Sequence, residues 1–222
     1  YSPQESAKLV SLPGGFKLEL VAAEPLVRQP SGVCWDAQGR LFVCELHGYN
    51  LEGQYDIEAL NKTGKLDRVV RRLAAPPEAM RKAEEDQHGV VKMLRDLDGD
   101  GRMDEATVWA DDLPPCLGIV PARDGVIVTA EPDVIFLADR DGDGRAEIRE
   151  TLFTGFKVNM LERRINQPRW GPDDWIYAGR GRGGHITGLR LAEPVDLPGT
   201  DFRFKSDGSA IEPVTGGTST IG

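Results

Sequence analysis

Two stretches of this chain space their carboxylates as a loop wrapped around a hard cation does. In Asp96-Leu-Asp98-Gly-Asp100-Gly101-Arg102-Met-Asp104 the acids hold positions 1, 3, 5 and 9, glycine holds position 6, and position 12 is Thr107. In Asp139-Arg-Asp141-Gly-Asp143-Gly144-Arg145-Ala-Glu147-Ile-Arg-Glu150 positions 1, 3, 5, 9 and 12 are all acidic. Calcium takes about six to eight oxygen ligands, and alternating Asp side chains with the carbonyls of Arg102 or Arg145 supply most of them. Zinc and copper would want His or Cys, which neither loop contains. A carboxylate at position 12 predicts that the second loop binds more tightly. An acidic hairpin turn is the alternative, because Asp-Gly is also a common turn dipeptide; two copies with one spacing favour the metal. A closed oxygen cage leaves no position open for a substrate, so the expected role is structural.

Other chemistry-bearing residues are more scattered. Glu45, His47 and Tyr49 bring an acid, an imidazole and a phenol within five residues; the alternative is an exposed loop that caps a sheet. Arg180-Gly-Arg182-Gly-Gly-His185 sets two guanidinium groups among glycines, which suits an anionic ligand or a solvated basic loop. Asn166 and Gln167 fit a sugar contact or a turn. Trp35, Trp109, Trp170 and Trp175 read as core before carbohydrate platforms. Cys34, Cys44 and Cys116 contain no C-x-x-C, and Cys34 with Cys44 reads as a cross-strand disulfide or as two buried thiols. Asn61-Lys-Thr63 fits a glycosylation acceptor.

The elements that must hold these residues read as strands. Phe16 to Val21 alternates apolar and polar side chains, the pattern of a half-buried strand. Residues 31–44, 119–128 and 168–178 each place an acidic turn between two apolar runs, which predicts three hairpins. The acidic loops lie between apolar runs too, as strand-loop-strand sites and not EF-hands. Gly39 and Gly125 are 86 residues apart and Asp96 and Asp139 are 43 apart, which indicates a repeat near the length of a four-stranded propeller blade. Leu66, Val69, Val70 and Leu73 follow helical spacing before Ala75-Pro-Pro77, so residues 53–86 read as a helical insertion.

With 222 residues, 26 Gly and 15 Pro, the composition favours one all-β domain of short strands and tight turns. The net charge of −9 argues against a nucleic-acid partner, and the segments 96–107 and 139–150 hold ten acidic against four basic residues. No apolar run is long enough to span a membrane. A start at Tyr1-Ser2-Pro3 implies a processed or trimmed N-terminus.

Leu12-Pro-Gly-Gly-Phe16, Ala22-Ala-Glu-Pro25, Asp36 to Val43, Asp96 to Asp104 and Trp170-Gly-Pro-Asp-Asp-Trp-Ile-Tyr177 together resemble the N-terminal propeller of planctomycete and verrucomicrobial "membrane-bound dehydrogenase" proteins. Those are similar to soluble pyrroloquinoline-quinone (PQQ)-dependent sugar dehydrogenases. The resemblance runs over nearly the whole chain. It implies a six-bladed or similar β-propeller, incomplete at the C-terminus of this chain, export to the periplasm or beyond, and downstream domains such as a cytochrome c module. It also implies a general-base His before Arg169-Trp-Gly-Pro-Asp173, where this chain has Glu162-Arg163-Arg164-Ile-Asn166-Gln167. Arg163 cannot accept a proton at neutral pH.

Two functions follow as expectations. The first is an exported calcium-binding oxidoreductase of the PQQ-dependent sugar or alcohol dehydrogenase type, with Glu45, His47, Tyr49 and Asn166 as catalytic candidates and Arg180, Arg182 and His185 against the quinone. The second is a non-catalytic propeller that binds a glycan or a protein. A lyase or hydrolase would need paired acids at a channel.

Overall fold

The computed structural model describes residues 2–47, 88–158, 164–179 and 181–214. Ser2 opens one short helix, α1 (Pro3–Ala7), with a reciprocal cap: its hydroxyl accepts the Glu5 N–H at 3.2 Å and the Glu5 carboxylate accepts the Ser2 N–H at 2.7 Å. The other regular elements among the described residues are strands.

Three antiparallel meanders repeat one plan. The first is β1 (Pro30–Trp35), β2 (Leu41–His47), β3 (His88–Arg95) and β4 (Glu105–Leu113); the second is β5 (Gly118–Ala122), β6 (Gly125–Ala130), β7 (Asp133–Ala138) and β8 (Ile148–Phe156). The third joins β9 (Asn166–Trp170), β10 (Ile176–Gly179), β13 (Phe202–Phe204) and β14 (Ile211–Pro213). Between β10 and β13 the chain leaves the third sheet, adds β11 (Gly184–Thr187) to the edge strand β8 of the second, pairs it with β12 (Val195–Leu197) and returns.

Side-chain alternation explains how the sheets stack. In β6, Val126 and Val128 face a cluster shared with Phe42, Cys44, Val91 and Trp109 of the first sheet. Ile127 faces the opposite way, into a cluster with Ile176, Phe202, Phe204 and Ile211 of the third. A sheet buried on both faces needs strands that are apolar throughout, and Val126-Ile-Val128 and Val134-Ile-Phe-Leu137 are such runs.

The first strands of the three sheets lie side by side. Trp35, Pro121 and Trp170 pair with Leu41, Val126 and Ile176, so Gly32, Gly118 and Gln167 occupy one register position. They touch in sequence. A Cβ on Gly32 would lie 3.1 Å from Gly118 Cα, and one on Gly118 would lie 2.6 Å from Gln167 N and run into Pro168. A side chain at Gly118 would force the second and third sheets apart.

The all-β class and the three hairpins agree with the sequence, while among the described residues the sheets do not close on themselves. Residues 16–21 form no strand: Phe16 is 72% exposed, and the tie of this segment to the fold is the Met103 N–H donating to Val21 O at 2.8 Å. Its alternation has no strand beside it to pair with among the described residues. His47 pairs directly with His88, so among the described residues the span from Gly39 to Gly125 holds β2 to β4 of the first sheet and β5 of the second. The helical reading of 53–86, like Tyr49, Asn61, Arg163 and Arg180, lies outside the described residues. All three cysteines are free and buried. Cys34 opposes Phe42 and Cys44 opposes Gly32, which puts the two thiols out of register for a cross-strand bond.

Candidate functional site

The two acidic loops connect β3 to β4 and β7 to β8, and they are built alike atom by atom. Asp96 accepts the N–H groups of Gly99 and Gly101 on separate oxygens, both at 2.8 Å; Asp139 does the same with Gly142 at 2.7 Å and Gly144 at 3.0 Å. Asp98 and Asp141 accept from Asp100 N and Asp143 N, and those two carboxylates accept from Arg102 N and Arg145 N. The position-9 acids close each ring, Asp104 from Leu97 N at 2.8 Å and Glu147 from Arg140 N at 3.1 Å. Positions 4 and 6 are left-handed in both loops, with φ of 78° and 89° in the first and 79° and 89° in the second, hence the glycines. The Gly101 N–H, with further amides of the loop, holds the Asp96 carboxyl below the usual range.

The carboxylates that converge are those at positions 1, 3 and 9: Asp96, Asp98 and Asp104, and Asp139, Asp141 and Glu147. Either trio offers hard oxygen donors to a metal ion. Asp100 and Asp143 stand outside these trios. Glu150 does not join the second loop; it sits in β8 and pairs with Arg123 at 3.1 Å and Arg190 at 3.2 Å. Both loops therefore present the same set of positions, and the extra acid that predicted tighter binding by the second is engaged elsewhere.

Each loop also reaches its neighbour through position 8. Met103 N–H donates to Val21 O, and Ala146 N–H donates to Trp109 O on β4 at 2.7 Å. Arg145 and Arg149 then grip Asp111 of β4, at 2.9 Å and 3.4 Å. The second loop thus fastens the second sheet to the first.

Glu45 and His47 do come together. The Glu45 side chain is fully buried; one oxygen meets Lys92 Nζ at 2.9 Å and Arg28 N–H at 2.7 Å, and the other meets His47 Nε2 at 2.8 Å. The His47 ring stacks on His88 with centroids 5.1 Å apart, and Lys92 also donates to Leu26 O. A buried carboxylate compensated this fully fixes the orientation of the imidazole it holds. Sequence reasoning missed Lys92 and His88. Lys92 stands alone inside the apolar run Val90-Val91-Lys92-Met93-Leu94, which is the available signal for a buried charge partner.

The remaining candidates are dispersed. Asn166 donates to Arg164 O at 3.1 Å, and its buried Oδ1 has no partner among the described residues. His185 pairs with Asp196 across β11 and β12 at 2.7 Å, on the edge hairpin. Arg182 is exposed and makes no ion pair among the described residues. The glycines of 181–184 serve packing: a Cβ on Gly184 would run into Gly155 O of β8. Of the tryptophans only Trp109 is core, at 1% exposure, against 50% for Trp35 and 40% for Trp170; Trp175 lies under the Arg203 guanidinium, 4.5 Å from its ring centre.

A groove of about 560 Å³ runs across β1, β5 and β9, lined by Gly32, Val33, Gly118, Gln167, Arg169 and Trp170 among others. Trp170 is pinned there by donating to Pro121 O at 2.7 Å. Gln167 is held at φ 47°. Apart from Gln167 and Trp170, none of the described candidates for binding or catalysis lines it.

No curated protein and no solved structure matches the chain. One family does, over residues 2–222, described as a domain of unknown function (DUF7133). The chain belongs to the DUF7133 family.

Proposed function

We propose that the chain is a calcium-stapled segment of a β-propeller that works as an exported quinone-dependent oxidoreductase on a sugar or alcohol. The observation that carries this reading is the Glu45–His47 pair: a buried carboxylate holds an imidazole by Nε2, and with the proton on Nε2 the other ring nitrogen would be the base for a substrate hydroxyl. This supplies the base that Arg163 cannot. Three four-stranded meanders with their first strands side by side support the propeller, and the hard oxygen donors of both loops suit calcium. PQQ, when bound, would supply the hydride acceptor. The residues considered for it fit in part: Arg182 is exposed with a guanidinium suited to a carboxylate, while His185 is engaged by Asp196.

A second reading, a non-catalytic propeller that binds a glycan or a protein, is favoured by the exposed Trp170 on the groove. Calcium titration with thermal melting, followed by PQQ and dye reduction with sugars and alcohols, separates the two. The dehydrogenase reading expects calcium to raise Tm, PQQ to raise it again, and His47→Ala to remove turnover. Calcium stabilisation with no response to PQQ would leave the binding module.

A further inference from the structure

Cys44, in the middle of β2, and Cys116, on the link from β4 to β5, belong to different sheets and meet in the cluster between them. Their backbones share a partner: the Ser31 hydroxyl donates to Cys116 O at 2.6 Å and lies 3.3 Å from Cys44 O. The Cys44 sulfur approaches Gly118 O, two residues beyond Cys116, at 3.8 Å. The Cys116 sulfur fills the space over Gly89, where a Cβ would come within 2.5 Å of it. The Cys116 thiol donates to Pro114 O at 3.3 Å, and neither cysteine is exposed to solvent. Cys34 shares that cluster but opposes Phe42, out of register with Cys44, which opposes Gly32.

We propose that Cys44 and Cys116 form a disulfide that ties the first sheet to the start of the second, with Cys34 left as a free thiol. The oxidant is a small-molecule disulfide such as oxidised glutathione. One cysteine thiolate attacks it and releases one small thiol; the second cysteine attacks the mixed disulfide and releases the other. Two protein thiols are oxidised, one small disulfide is reduced to two thiols, and the two protons pass to the released thiolates. Burial pushes the Cys44 thiol well above its ordinary range, so the exchange belongs to folding, before the sheets close over it.

The test refolds the full reduced chain in a mixture of oxidised and reduced glutathione and collects the species that regains the native melting transition. Its free thiols are then alkylated in denaturant and counted by mass. The expected result is one alkylated cysteine, Cys34, a peptide joining Cys44 to Cys116, and a Tm roughly 5–10 °C above that of the reduced chain. Cys34→Ser should keep the link, and Cys116→Ser should give two free thiols with no bond between Cys34 and Cys44. Three alkylated cysteines in the native species, or a link that contains Cys34, overturns the proposal.

Discussion

Asp96, Asp98 and Asp104 were legible as a group because their spacing is local: each loop folds on its own amides, so the sequence carries nearly all the information the site needs. Lys92 and His88 were not, because they reach Glu45 and His47 through strand pairing across some forty intervening residues. Glu150 shows the opposite error. Its position 12 is right by count, but β8 has already begun there and turns it toward Arg123 and Arg190. Two predictions belong at this scale. Calorimetric titration should find two calcium ions per chain, one after Asp98→Ala or Asp141→Ala, and none when both are changed. Glu45→Gln leaves Lys92 in a buried site without its counter-charge and should lower stability by about 3 kcal/mol in denaturant melts. His47→Ala, which leaves the Glu45–Lys92 pair intact, should cost less than half of that.

Among the elements, the hairpins were readable because turn chemistry and period-two patterning agree there, as at Asp36, which accepts the Gln38 and Arg40 N–H groups around left-handed Gly39. Phe16 to Val21 has the patterning without a partner strand among the described residues, and patterning alone does not make a ladder. The excursion of β11 and β12 into the second sheet left no mark beyond its glycines, which read equally as a flexible binding loop. Tight glycine packing between first strands yields a sharp expectation. Gly118→Ala should cost about 2 kcal/mol by overpacking against Pro168 and Gln167, whereas Gly14→Ala, with open space around it, should be close to neutral in the same melts.

For the whole molecule, the negative charge sits largely in the two acidic loops and their surroundings, where acids are tied to amides and guanidinium groups. Asp96 is held below the usual carboxylate range by Gly101 N–H, Asp124 by Arg140, and Asp111 by Arg145 and Arg149 against the upward push of burial. The unfolded chain therefore binds protons to these groups at a higher pH than the folded chain does. Their contribution is complete above about pH 4, the ordinary Asp range, and is lost as the pH falls through the lowered folded values. Metal-free melts should show Tm flat from neutral pH to about 5 and falling steeply below about 4. Arg145→Gln, which weakens the hold on Asp111, should soften that fall. A Tm that rose on acidification would contradict this account.

The excursion of β11 and β12 also decides where the chain can be divided. A cut between residues 156 and 165 looks natural, since it separates two meanders from the third. It would strip β8 of the strand that covers its outer edge and leave a row of unpaired amides and carbonyls. The matching fragment would carry a hairpin with nothing to extend. Neither piece is self-sufficient, yet together they are donor and acceptor of the same strand, so two such fragments mixed in solution should reassociate by strand addition.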